Sequence, residues 1–217
     1  MTLDLFAAEA PALEDEVLDD GAVVLRGFAL ERAARLKDAV ARVAESAPFR
    51  HLVTPGGFRM SVAMTNCGAL GWVSDRHGYR YDPVDPESGR PWPALPGAMR
   101  ALARDAASRA GHADFAPDAC LVNRYAAGAR LSMHQDRDEK DLRAPIVSVS
   151  LGLPAVFLWG GDERGGKARP VALNHGDVVV WGGASRLRFH GVRPLKDGEH
   201  PFAGAHRVNL TFRKVLG

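Results

Sequence analysis

The run His134-Gln135-Asp136 sets an imidazole and a carboxylate two positions apart. Side chains of an extended chain alternate faces, so His134 and Asp136 share a side while Gln135 points away. Two ligands from one strand and a histidine from a distant strand make a facial triad with three open metal positions, which suits non-haem Fe(II). Of the eight histidines, His190 alone lies in a later strand-like run, LRFHGV, just after the apolar DVVVWGG. His175 falls in the turn NHGD, and His51, His77, His112, His200 and His206 have no carboxylate partner in a strand. His-x-Asp pairs are also common by chance, and a lone strand histidine is most often a packed or surface residue. Spacing alone therefore leaves the triad suggestive.

A second constellation lies in RVNLTFR, residues 207–213. Period two gives Arg207, Asn209, Thr211 and Arg213 one face, the face a core strand turns inward. Buried guanidinium is rare unless an anion pairs with it, and its fork matches a carboxylate. The anion is either a carboxylate of the protein or a dicarboxylic ligand that chelates the metal with its other end.

These side chains need a rigid frame, and the pattern supplies one. From Cys120 onward the chain reads as short β-rich runs separated by turns: CLVNRY, ARLSMHQ, PIVSVSLG, AVFLWG, PVALN, DVVVWG, LRFHGV and RVNLTFRKV. Eight short strands without intervening helices argue against a parallel βαβ sheet and for a sandwich or barrel. The expected fold is mainly β with flanking helices, around a jelly-roll or double-stranded β-helix core. Ahead of it, AVVLRGF (22–28) reads as a strand, and residues 29–45 and 96–110 have helical apolar spacing, with Pro96 in the first turn of the second helix. Between them, residues 51–93 are rich in Gly, Pro, Arg and aromatics. Long segments of that kind inside a compact domain tend to be functional.

Composition narrows the class further. The 217 residues show no composition break, so a single domain is expected over 1–217. Its parts are an acidic leader (1–20), a strand and helix (21–50), the irregular segment (51–93), a helical connection (94–119) and the β core (120–214). The leader holds seven acids and no Lys or Arg, which leaves the remainder 28 bases against 19 acids, a net +9. Such a body can attract polyanions. No apolar run reaches the ~18 residues of a membrane span, and the start has no signal-peptide pattern. Cys67 and Cys120 form no CxxC pair, which points to a reducing compartment and a cytoplasmic protein.

His134-Gln135-Asp136, His190 and RVNLTFR together match the HxD…H…RxxxxxR pattern of the AlkB family of Fe(II)- and 2-oxoglutarate-dependent dioxygenases. The stretches NRYAAGARLSMHQDRDEKDLRAPIVSVSLGLPAVF, LNHGDVVVWGG and VTPGGFRMSVAMTNCGALGW also resemble that family, over roughly residues 20–214. The resemblance implies that His134, Asp136 and His190 ligate iron. It further implies that Arg207 and Arg213 pair with the two carboxylates of 2-oxoglutarate, while Asn123, Tyr125 and Asn209 hydrogen-bond it. Residues 51–93 become a nucleotide-recognition lid in which Met64, Trp72 and Tyr79 bind the nucleotide, with Trp72 as the stacking residue and Tyr81 nearby. Asp138 and Arg164 resemble residues that shape the alkylated-base pocket. A carboxylate there can favour cationic 1-methyladenine or 3-methylcytosine over the neutral parent base.

The implied reaction consumes O2 and 2-oxoglutarate, hydroxylates an N-alkyl group, and releases succinate, CO2 and formaldehyde from single- or double-stranded DNA, with RNA also open as substrate. A monomer without membrane contact is expected. Trp159, in FLWGG, is bulkier than the resemblance leads one to expect beside a substrate pocket. Two other readings are weighed. A non-catalytic nucleic-acid-binding module fits poorly with an intact triad and both arginines. A dioxygenase acting on protein or a small molecule fits poorly with the aromatic Met64–Tyr81 segment.

Overall fold

The computed structural model describes residues 14–217, so Asp4 and Glu9 of the acidic leader lie outside the described residues. Thirteen strands and two α-helices follow in the order β1 (Glu16–Asp19), β2 (Ala22–Leu25), α1 (Ala33–Ser46), β3 (Ala63–Gly68), β4 (Gly71–Asp75), β5 (Gly78–Asp82), α2 (Gly97–Arg109), β6 (Ala119–Tyr125), β7 (Leu131–His134), β8 (Ile146–Gly152), β9 (Ala155–Trp159), β10 (Arg169–Leu173), β11 (Val178–Trp181), β12 (His190–Val192) and β13 (Arg207–Arg213). A major sheet runs β1-β2-β11-β8-β13-β6-β3, a minor sheet runs β10-β9-β12-β7, and β4-β5 form a separate hairpin. The pairings are antiparallel throughout. The jelly-roll expectation is met.

Alternation along the central strands decides where the core sits. Val147, Val149 and Leu151 of β8, Val178 and Val180 of β11, and Leu210 and Phe212 of β13 face α1 and α2, packing on Leu36, Val40, Val43, Met99, Leu102 and Ala106. The intervening residues face the minor sheet, where Ile146, Val179 and Trp181 meet Phe157, Trp159, Val171 and Leu173. A strand covered on both faces must be apolar on both, which explains the continuous run of β11. Polar residues on the inner face therefore need a local reason. They cluster, as Asn209 stands opposite Ser150 on one side and Asn123 on the other, and Arg207 opposite Gly152 and Tyr125.

Two elements depart from the sequence reading. The acidic Glu16–Asp19 is an edge strand of the major sheet, its charges met by the body: Glu16 pairs with Arg26 and Arg169, and Asp19 with Arg188 at 2.8 Å. The 51–93 segment contributes β3 to the opposite edge of that sheet, leaving only β4-β5 as a free-standing hairpin. Among the described residues no helix is long and apolar enough to cross a membrane.

Candidate active site

His134 and His190 come from neighbouring strands of the minor sheet and stand directly opposite each other. From that pair to the next, Val192 opposite Leu131, β12 advances two residues and β7 three, so β7 carries a bulge beside the histidines. Gly191 permits the close approach, because a Cβ there would lie 2.9 Å from the Leu131 carbonyl oxygen. Asp136 lies just past the end of β7, rather than within a continuous strand as the alternation argument assumed. Its carboxylate still reaches both rings: Oδ1 is 3.8 Å from His134 Nε2, and Oδ2 is 3.8 Å from His190 Nε2. One ligand atom from each of the three residues falls within 4.8 Å of the others.

Backbone carbonyls set both imidazole tautomers. His134 Nδ1 is 2.8 Å from the Ser132 oxygen and His190 Nδ1 is 3.0 Å from the Arg188 oxygen. A carbonyl only accepts, so each Nδ1 carries the proton and each Nε2 presents a lone pair to the centre. Burial, helped by neighbouring His134 and opposed by Asp136, pushes the His190 pKa down to about 4, so this ring is neutral at pH 7. Burial would raise the Asp136 carboxyl, but the Arg213 guanidinium and the two imidazoles hold it well below the usual carboxylate range. Two imidazole nitrogens and one carboxylate form a donor set that can hold a divalent metal with open positions.

Facing this group, the major sheet presents RVNLTFR. Arg207 is 1% exposed, donates from Nη2 to Ser150 Oγ at 2.8 Å and lies 4.9 Å from the Tyr125 ring centroid. Among the described residues its Nε and Nη1 have no partner, nor does Asn123 Oδ1. Buried donors left unpaired cost about 1–3 kcal/mol each, so two on one guanidinium mark a place for an anion. Asn209 donates to Ser148 Oγ and the Val149 carbonyl, and its Oδ1 accepts from Asn123 and Thr211. Arg213 differs from Arg207. It donates from Nε and Nη2 to Asp136 Oδ2, at 3.1 and 2.8 Å, and contacts Glu139 Oε1 at 3.3 Å. The anion for Arg213 is thus first of all the metal-facing carboxylate of the protein itself.

A cavity of about 800 Å³ opens between the sheets, lined by the triad, Asn123, Tyr125, Arg207, Asn209, Arg213 and the buried Met64 towards its base and by Trp72, Tyr79, Asp138 and Arg164 at its rim. All thirteen sequence-selected residues therefore surround one space. At the rim Trp72 stacks on Tyr79 with centroids 5.6 Å apart and planes 14° from parallel, and donates from Nε1 to Asp138 Oδ2 at 3.3 Å. Arg164 lies over the Phe189 ring at 5.7 Å. Trp159 does not line the cavity; it is buried against Phe157 and edge-on to Trp181.

Sequence reasoning missed Glu139 and Arg186. Glu139 accepts from Tyr81 Oη at 2.6 Å and from Arg186 Nη2 at 3.0 Å, while Arg186 Nη1 donates to the Asp136 carbonyl at 2.6 Å. A buried carboxylate thus links the hairpin to the residues that hold Asp136. The only signal in the chain was one more acid in the charged run DRDEKD, indistinguishable there from a solvated turn.

Comparison with known proteins gives the same picture. The family model of the 2OG-Fe(II) oxygenase superfamily matches residues 21–213. Proteins named alpha-ketoglutarate-dependent dioxygenase AlkB are 61% identical in Salmonella typhimurium and 58% identical in Escherichia coli, each over 98% of both chains. The solved structure of OsALKBH1 superposes with a TM-score of 0.81 at 30% identity, covering 93% of this chain and all of that one. Relatives matched over just under half of this chain are named DNA and tRNA demethylases. With a cluster able to hold a metal and an arginine-bearing strand facing it, the chain belongs to the 2OG-Fe(II) oxygenase superfamily, as an iron- and 2-oxoglutarate-dependent dioxygenase.

Proposed function

We propose that the protein removes alkyl groups oxidatively from N-alkylated bases of the 1-methyladenine and 3-methylcytosine type in DNA, and accepts RNA by the same contacts. The single observation that carries this reading is the shared cavity, with triad and unpaired Arg207 donors at the base and a stacked, carboxylate-bearing aromatic rim at the mouth. His134, Asp136 and His190 would hold the iron, with each Nε2 and the carboxylate as the available donors. Arg207 would take the remote carboxylate of 2-oxoglutarate on its unpaired Nε and Nη1, with Asn123, Tyr125 and Asn209 orienting the chain of the co-substrate. Arg213 fixes Asp136 and stands beside the near carboxylate.

When bound, iron with 2-oxoglutarate and O2 supplies the oxidant that inserts oxygen into an N-alkyl C–H bond, leaving succinate and CO2. The hydroxymethyl product then collapses to formaldehyde and the restored base. Ser132 and Arg188 carbonyls keep both Nδ1 protons away from the metal side throughout. At the mouth, an extruded base stacks between Trp72 and His134, which offsets part of the cost of unstacking it. Asp138 favours a cationic base over its neutral parent, and Met64, Tyr79 and Arg164 complete the pocket and contact the flanking strand. The same reading makes the protein a cytoplasmic monomer acting on single- or double-stranded DNA, consistent with its two buried free thiols. A panel of methylated oligonucleotides, DNA and RNA, single and double stranded, tests it. Repair must require both Fe(II) and 2-oxoglutarate; repair without either, or no repair of any methylated strand, contradicts the proposal.

A further inference from the structure

Among the described residues the hairpin β4-β5 pairs only with itself, so Trp72 receives no ladder bond from the seven-stranded sheet. Two-stranded hairpins are marginal in water unless something fixes them. At Trp72 the tie is one side chain. Asn66, on the edge strand β3 and 3% exposed, donates from Nδ2 to the Trp72 carbonyl at 3.0 Å and accepts the Trp72 N–H on Oδ1 at 3.0 Å. A carboxamide has the donor and acceptor of a peptide unit, so Asn66 acts as one rung of a missing strand. Gly71, next to Trp72, lets the chain pass close against the Trp92 ring, which a Cβ there would meet at 2.4 Å. The backbone of Trp72 is therefore clamped, while its ring rests on exchangeable contacts with Tyr79 and Asp138.

From this we infer that Asn66 is a positioning residue for base recognition, holding the Trp72 backbone so that the indole swings within a fixed arc to receive an extruded base. Resting on the proposed function, the inference assigns Asn66 no contact with base, metal or co-substrate. Only Trp72 couples it to catalysis.

The test uses full-length protein labelled with 5-fluorotryptophan, whose Trp72 line is assigned by Trp72→Phe. Asn66→Ala should shift or broaden the Trp72 line and leave those of Trp159 and Trp181 in place. It should also raise KM for a methylated oligonucleotide about tenfold, in line with one lost stacking contact, with KM for 2-oxoglutarate and kcat retained. Asn66→Asp keeps the acceptor for the Trp72 N–H and should fall between Ala and wild type. An unchanged Trp72 line, or an unchanged oligonucleotide KM, overturns the inference. So does a general shift of all four tryptophan lines with a fall in kcat, which marks Asn66 as an ordinary structural residue. Failure of wild-type protein to repair any methylated strand would instead overturn the proposed substrate, and the Trp72 line would still report on the clamp.

Discussion

The base and the rim of the cavity are built in opposite ways. At the base, Arg207, Asn209 and Asn123 stand on central strands with hydrogen-bonded neighbours on both sides, and each is at least nine-tenths buried. At the rim, Trp72 and Tyr79 ride on a two-stranded hairpin held by single side chains: Asn66 to the Trp72 backbone, Ser74 to the Val53 carbonyl at 2.6 Å, and Tyr81 to Glu139. A hairpin outside the main ladders opens at lower local cost than a central strand paired on both sides. The difference teaches a division of labour. The sheets fix the triad and the polar residues that face it, and the hairpin carries the aromatic rim on side-chain ties.

Substitutions should separate the two regions, and the largest effects belong to the base. Asp136→Ala removes a ligand and leaves Arg213 without its partner. Turnover should fall on the order of 10³-fold or more, since even the partners of metal ligands are worth about 10–100-fold; Mn(II) titration should show the loss directly. Arg207→Ala should raise KM for 2-oxoglutarate by about 100-fold, the scale of a buried charge left unpaired, with oligonucleotide affinity unchanged in a binding assay. Trp72→Ala should do the reverse, raising oligonucleotide KM about tenfold while 2-oxoglutarate affinity, read by competition with a chelating analogue, stays put. The smallest effect is expected where the regions touch. Tyr81→Phe removes one bond to a buried carboxylate and should lower stability by about 1.5 kcal/mol in denaturant unfolding, leaving kcat within about twofold. If Tyr81→Phe instead abolishes turnover, the base and rim are not separable.

The sequence made the base legible because period two is a strong signal. RVNLTFR could be read as a polar face on a buried strand, and LRFHGV as the only later run able to return a histidine to the first pair. Both constellations do line one cavity. The rim was less legible. Its strands β3 to β5 are five or six residues long, in a Gly- and Pro-rich stretch, and β3 owes its existence to pairing with β6, more than fifty residues away. Glu16 and Asp19 read only as part of an acidic leader, because nothing local reveals that Arg26, Arg169 and Arg188 will meet them. The Glu139–Arg186 pair was hidden for the same reason. Partners distant in the chain leave no periodic trace, and the bulge in β7, which brings His134 opposite His190, leaves none either.

The most direct test of the account measures succinate and formaldehyde together, from one reaction on a 3-methylcytosine oligonucleotide with limiting methylated sites. The base-and-rim account predicts matched yields of the two products, both dependent on added Fe(II), with the Trp72→Ala variant losing them in parallel as oligonucleotide is diluted. Succinate formed at full rate with no formaldehyde from the methylated strand would contradict it, placing the chemistry correctly but the substrate elsewhere.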